Sequence, residues 1–142
     1  MTVDFMTIQD LPKAMSIEEK THLPKWINKH SLDYKNAVFL VAKEKQKVIG
    51  VLCAEIVVDE CSLNSIACDE EYRRKGVGKE LIDFLIEECT HRGVTKILLE
   101  VREANFPAVT LYSKCGFDIV GKRENYYKHP NDNAVLMTLM LR

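Results

Sequence analysis

The sequence predicts an α+β fold: a central mixed, mostly antiparallel β-sheet flanked by helices, in one domain over residues 1–142. Three observations predict it. Apolar runs of strand length at 37–42, 48–58 and 61–67 are joined by polar turns, the pattern of successive hairpins. An amphipathic helical stretch then leads to a further strand at 96–101, which can return parallel to the run ending at Ala67. The chain closes on strands again, with Val135, Met137, Leu139 and Leu141 alternating.

Taken in order, Val3 to Thr7 reads as a short strand. Asp10-Leu11-Pro12 starts a helix, with a capping residue and proline in the first turn, and Leu11, Ala14, Met15 and Ile17 form its buried stripe. A second short helix is expected after Pro24, with Trp26 and Ile27 turned inward. Gly50 marks a bulge in the long strand, and Asp59-Glu60 turns the chain. In the strand that follows, Leu63 and Ser65 are expected on the face opposite Asn64 and Ile66. Val77, Leu81, Leu85 and Cys89 recur at four-residue spacing on a helix closed by His91-Arg92-Gly93. Ile97, Leu99 and Val101 share one strand face, leaving Leu98 and Glu100 on the other. Asn105-Phe106-Pro107 opens a helix through Tyr112 that Gly116 stops, and Phe117 to Val120 is a strand.

Composition narrows the function. The 142 residues carry a formal net charge of −1, with 46% hydrophobic and 29% charged residues. That balance suits a globular domain and argues against nucleic acid as a partner. No apolar run reaches the ~20 residues of a membrane span, and the first residues do not resemble a signal peptide, so no membrane association and a cytoplasmic location are expected. Five cysteines without a C-x-x-C pair read as reduced thiols, and four scattered histidines give no reason to expect a metal.

The chemistry is concentrated at Arg73-Arg74-Lys75-Gly76-Val77-Gly78, which follows a strand and opens a helix. That context aims backbone N–H groups and the positive end of a helix dipole at one spot, which suits a phosphate. A Walker loop would need glycine at Arg73 and Ser or Thr at Glu80. A dinucleotide fingerprint would need a third glycine at Leu81. Both fail, and the pattern that remains is [Q/R]-x-x-G-x-G.

That loop resembles motif A of the Gcn5-related N-acetyltransferases (GNAT), where it cradles the diphosphate of coenzyme A. The stretch LNSIACDEEYRRKGVGKELIDFLIEECTHRGVTKILLEVREANFPAVTLYSKCGF, followed by RENYY, is similar to the RimI branch of that family. The resemblance implies the GNAT fold, acetyl-CoA as cosubstrate and coenzyme A as product. It implies that Ile66, Ala67 and Cys68 form a splayed strand end that pairs with the pantetheine arm. Arg73, Arg74, Lys75, Gly76, Val77, Gly78 and Lys79 would line the diphosphate, with Asn105 on the cofactor as well as capping its helix. Glu100 matches the proton acceptor and Tyr112 the proton donor to the leaving thiolate, while Tyr126, Tyr127 and Trp26 would border the acceptor.

Each residue also has a plainer reading. Glu100 reads as a buried carboxylate in an apolar strand, and a salt bridge with Arg102 on the same face would account for it. Tyr112 could be core, Asn105 only a cap, and the basic triplet solvated. Leu23-Pro24-Lys25-Trp26 is similar to the F-P-W of RimI enzymes, with Lys25 interrupting it. The reading is an N-acetyltransferase acting by direct attack on the N-terminal α-amine of a protein or peptide, possible acceptors including a ribosomal protein, and working as a monomer or weak homodimer. The alternatives are acetylation of an internal lysine or a small amine, or a non-catalytic acyl-CoA-binding module.

Overall fold

The computed structural model describes residues 1–21 and 24–141. Seven strands form one sheet: β1 (Thr2–Phe5), β2 (Ala37–Glu44), β3 (Lys47–Val57), β4 (Glu60–Cys68), β5 (Lys96–Arg102), β6 (Asp118–Tyr127) and β7 (Asp132–Met140). Their order is β1-β2-β3-β4-β5-β7-β6. Every neighbouring pair is antiparallel except β4 with β5. The helices are α1 (Leu11–Glu19), α2 (Val77–His91) and α3 (Phe106–Lys114). α2 supplies the crossover that lets β5 lie parallel to β4.

The central strands are apolar along their length because helices cover both faces of the sheet. On one face, Leu40, Leu52, Leu63 and Ile97 pack against Leu81, Ile82 and Leu85 of α2 and Tyr112 of α3. On the other, Val41, Val51 and Cys53 pack against Leu11, Ala14 and Ile17 of α1, with Ile27 beside them. Lys45 and Gln46 turn the β2–β3 hairpin with φ of 50° and 69°, the left-handed geometry of a two-residue turn that matches strand twist.

Two bulges set which side chains meet which helix. Ile49 is the extra residue between the pairs Ala42–Gly50 and Lys43–Val48, next to the glycine where a bulge was expected. Asn64 is the extra residue between Cys53–Ser65 and Ala54–Leu63. An added residue reverses the alternation of a strand. Leu63 and Ile66 therefore both face α2, whereas Ala67 faces α1. Ser65 pairs with Cys53, on that same α1 side. The expected grouping of Leu63 with Ser65 against Ile66 is corrected by this bulge.

The feature that positions the site is a parting of strands. β4 and β5 pair only from Glu60–Lys96 to Ser62–Leu98. Beyond that, β4 stays on β3 as far as Cys68, and β5 stays on β7 as far as Arg102. The edge of β4 from Leu63 onward has lost its β5 partner.

Other expectations change. No helix follows Pro24: residues 24–28 are irregular and only Ser31–Asp33 makes a single 3₁₀ turn. The N–H groups of Trp26 and Ile27 are taken by the Glu18 carboxylate, and of the two only Ile27 turns inward. Met15 is exposed, and Glu18 is buried at the end of α1 instead. Asp10 does not cap α1; its carboxylate accepts from the N–H and hydroxyl of Thr7 behind it. β6 runs past the expected end at Val120, so Tyr126 and Tyr127 are its last two residues.

Candidate active site

α2 begins at the expected loop without a capping side chain. Gly76 is its N-cap at φ 83°, a left-handed conformation that disfavours any residue with a Cβ. The first N–H of this helix to find a helical acceptor is that of Glu80, on the Gly76 carbonyl at 3.0 Å. The N–H groups of Val77, Gly78 and Lys79 precede it and have no acceptor one turn back within the helix. The two glycines differ in purpose. A Cβ at Gly76 would meet nothing within 4 Å, so conformation requires that glycine. At Gly78 a Cβ would lie 2.8 Å from Cδ2 of Leu111, so the close approach of α3 requires it.

These N–H groups open into a cleft of about 650 Å³ between the free edge of β4, the loop before α2 and the start of α3. Ile66, Ala67 and Cys68 form its strand side, and Arg73, Arg74, Gly76, Val77, Gly78 and Lys79 its loop side. Asn105 closes it together with Pro107, Ala108 and Leu111, while its Oδ1 accepts from the Ala108 N–H at 3.3 Å. Lys75 is absent from the lining; its ammonium lies 5.4 Å from the centre of the Tyr72 ring. Lys79 pairs with Asp83. Burial pushes the Cys68 thiol up, with Arg73 opposing and Asp69 adding, and burial also pushes Cys115 up. Both thiols stay protonated, so neither is an activated nucleophile.

Glu100 and Tyr112 stand on opposite faces of the sheet beside the parted strands. Glu100 points away from α2 and α3, and its side chain is 38% exposed with Arg123 Nε 3.9 Å from Oε2. It is thus not the buried carboxylate that its apolar strand suggested, because α1, the helix on its face, packs over β2 to β4. Arg102 does not pair with it. Arg102 donates to the carbonyls of Pro130 and Lys128 and lies 4.5 Å over the ring of Tyr127.

Tyr112 is 6% exposed, its ring 5.8 Å from that of Phe117. Among the described residues its hydroxyl has no hydrogen-bond partner, yet no buried side-chain oxygen is left unsatisfied. The hydroxyl therefore keeps an open edge. Burial, with smaller contributions from Cys115 and Tyr127, raises this phenol well above its ordinary range. Tyr127 is raised too, by burial first and then by the charge of Glu100, so it lies within electrostatic reach of both residues. Its ring meets that of Tyr126 edge-on at 5.0 Å.

A second cavity, about 480 Å³, lies across β4 from the cleft. Trp26, 41% exposed, forms one wall, with Phe39, Cys53 and Glu55 opposite and Asn64 of the bulge on the strand between. Lys25, which interrupts the expected aromatic pattern, donates to the carbonyls of Glu18 and Thr21 at the end of α1. Leu23, the first residue of that pattern, lies outside the described residues.

The family model "Acetyltransferase (GNAT) family" matches residues 5–117. The chain belongs to the GNAT family. It is 34% identical to "[Ribosomal protein bS18]-alanine N-acetyltransferase" of Escherichia coli K12, covering 97% of this chain and 96% of that protein. It is 36% identical to the protein of the same name from Haemophilus influenzae, covering 93% of each. The crystal structure of the ribosomal-protein-S18-alanine N-acetyltransferase from Escherichia coli superposes with a TM-score of 0.87 at 31% identity, over 98% of this chain and 92% of that one.

As a GNAT N-acetyltransferase, the chain uses chemistry that its cleft suits. An uncapped helix start offers several N–H donors to an anion, and a bare strand edge offers backbone groups to an amide-bearing arm. Among the residues that sequence reasoning did not single out are Asn64 and Glu18. The signal for Asn64 is a bulge, which depends on pairing and leaves no mark in one strand. The signal for Glu18 is an acidic residue on the apolar side of a helix, next to Ile17.

Proposed function

We propose that this GNAT enzyme transfers the acetyl group of acetyl-CoA to the N-terminal α-amine of a protein, the alanine of ribosomal protein bS18 being the acceptor. The printed activity of relatives matching nearly the whole chain supports the choice of acceptor. One observation carries the mechanism: β4 leaves β5 after Ser62, between the cleft on one face and Glu100 on the other. An amine approaching from the Glu100 side can then meet a thioester held on the Tyr112 side. A ribosomal-protein acceptor places the activity in the cytoplasm.

Bound acetyl-CoA supplies the activated acetyl group. The N–H groups at the start of α2 hold its diphosphate, and the free edge of β4 at Ile66 to Cys68 pairs with its pantetheine amides. A backbone N–H on that edge also faces the negative charge that develops on the carbonyl oxygen. Glu100 takes a proton from the incoming amine, directly or through one water, leaving a neutral nucleophile. Tyr112 keeps its proton at any working pH and gives a hydrogen bond to the departing sulfur, the proton passing as the C–S bond breaks. With Cys68 and Cys115 protonated, transfer is direct.

Trp26, Asn64 and the cavity between them receive the first residues of the acceptor, and Tyr126 and Tyr127 border it from the β6 side. The test is to incubate the protein with acetyl-CoA and a peptide bearing the N-terminal sequence of bS18, then locate the acetyl group by fragmentation mass spectrometry. Acetate on the α-amine supports the reading. Thioester hydrolysis alone, or no turnover, removes it.

A further inference from the structure

Glu18 is the most buried carboxylate among the described residues, 3% exposed. Both oxygens are used by backbone donors eight and nine residues on: the Trp26 N–H reaches Oε2 at 2.8 Å and the Ile27 N–H reaches Oε1 at 3.0 Å. A charge so far from water persists only when hydrogen-bonded in this way. The segment it grips needs a grip. Residues 24–28 have no helix or strand ladder of their own. Besides Glu18, they are tied by the buried side chain of Ile27, by Lys25 on the carbonyls of Glu18 and Thr21, and by Asn28, whose N–H donates to the Ser31 hydroxyl at 2.8 Å.

We propose that Glu18 is a positioning residue for acceptor binding, its carboxylate fixing residues 24–28 so that Trp26 stands as a wall of the acceptor cavity. The proposal rests on the acceptor reading above. Glu18 is joined to that cavity through Trp26, a lining residue whose N–H it holds at 2.8 Å; burial pushes Cys53, also in the lining, up to about 12, and the charge of Glu18 adds to the effect. Loosening the segment removes one wall of the cavity. The cofactor cleft lies across the sheet and shares no lining residue with this cavity, so its affinity is insulated from the change.

The variant Glu18→Gln keeps the shape but offers one acceptor oxygen and turns an NH₂ toward the other N–H. With an N-terminal-alanine peptide as acceptor, its KM should rise about tenfold, the scale of losing a hydrogen bond to a charged group. The KM for acetyl-CoA should stay unchanged. Trp26 is the only tryptophan in the chain, so acrylamide quenching of its fluorescence should rise in parallel. A general loss of fold would instead lower apparent kcat and leave both KM values alone. An unchanged acceptor KM, or an equal rise in both KM values, overturns the proposal. If the variant does not fold, hydrogen exchange on the parent protein decides: Trp26 and Ile27 amides as protected as those inside α1 support the grip, and open-chain exchange rates overturn it. A parent enzyme that acetylates no peptide removes the acceptor reading and this proposal together, whereas an active parent with an indifferent variant removes the proposal alone.

Discussion

Arg123 of β6 holds its Nε 3.9 Å from Oε2 of Glu100 on β5, across the intervening strand β7. Both side chains are open to water, so the pair adds little to stability. In the proposed mechanism the guanidinium anchors the carboxylate that takes a proton from the approaching amine. Glu100→Gln should lower kcat/KM by roughly 10²–10⁴-fold, the usual worth of a general base. Arg123→Gln should cost about tenfold, since it removes an anchor and not the base. A Glu100→Gln enzyme within twofold of the parent, measured where chemistry limits the rate, would return Glu100 to a surface role.

Tyr112→Phe retains the ring against Phe117 and deletes the hydroxyl. Turnover should fall by roughly 10²–10⁴-fold with cofactor affinity unchanged. The raised phenol also makes a stability prediction. An unfolded tyrosine ionises near pH ~10, while the folded one holds its proton to higher pH. Its contribution is therefore complete below pH ~10 and lost as pH rises beyond it. Thermal melts above that pH should fall more steeply for the parent than for Tyr112→Phe. Parallel curves would mean that the phenol is not held neutral by burial.

The glycines of the loop should separate in a paired experiment. Gly76→Ala puts a Cβ into open space but at φ 83°, costing about 1–2 kcal/mol of stability with a modest effect on coenzyme A affinity. Gly78→Ala drives a methyl group toward Leu111 and Ile66, both in the cleft lining, and should weaken coenzyme A binding more than it lowers the melting temperature. Calorimetric titration and melting of both variants would show the reverse order if the cleft does not hold the cofactor.

Much of this was legible in the chain. Hairpins, crossover and glycine loop are local patterns, and local patterns survive in one sequence. The residues that misled are those decided by a partner far away. Glu100 looked buried because its strand neighbours Leu99 and Val101 are; how far α1 extends over its face is a property of the whole sheet. Trp26 looked like a core residue on a helix, but Glu18 claims the N–H groups next to it and leaves the indole half outside. The bulge at Asn64 appears only when β3 is laid beside β4.

Asp10 joins α1 to β2 through Lys43 at 2.9 Å and holds the Thr7 N–H at 2.8 Å. Burial raises its carboxyl, but the hydrogen bonds from Thr7 and Lys43 outweigh it and hold the group below its ordinary value. A depressed carboxyl stabilises the fold above its unfolded pKa of ~3.9, and that help is lost as pH falls through the folded value. Asp10→Asn should lower the melting temperature at pH 7 and flatten its decline between pH 5 and pH 2, roughly the window of carboxyl titration. An unchanged decline would show that other carboxylates govern acid unfolding.

The most direct test of the account compares two acceptor peptides of one sequence. One has a free N-terminus and no lysine; the other has a blocked N-terminus and one internal lysine. Near neutral pH a lysine holds its proton about 2.5 pKa units more tightly than an α-amine, roughly 3.4 kcal/mol of extra cost for a single carboxylate base to overcome. With Trp26 on one side and Tyr126 and Tyr127 on the other, as proposed, the acceptor site would also favour a chain end over a side chain on a continuous backbone. An enzyme for α-amines should acetylate the free N-terminus at least a hundredfold faster in kcat/KM, the difference that roughly 2.7 kcal/mol produces. Faster acetylation of the blocked lysine peptide would contradict that reading.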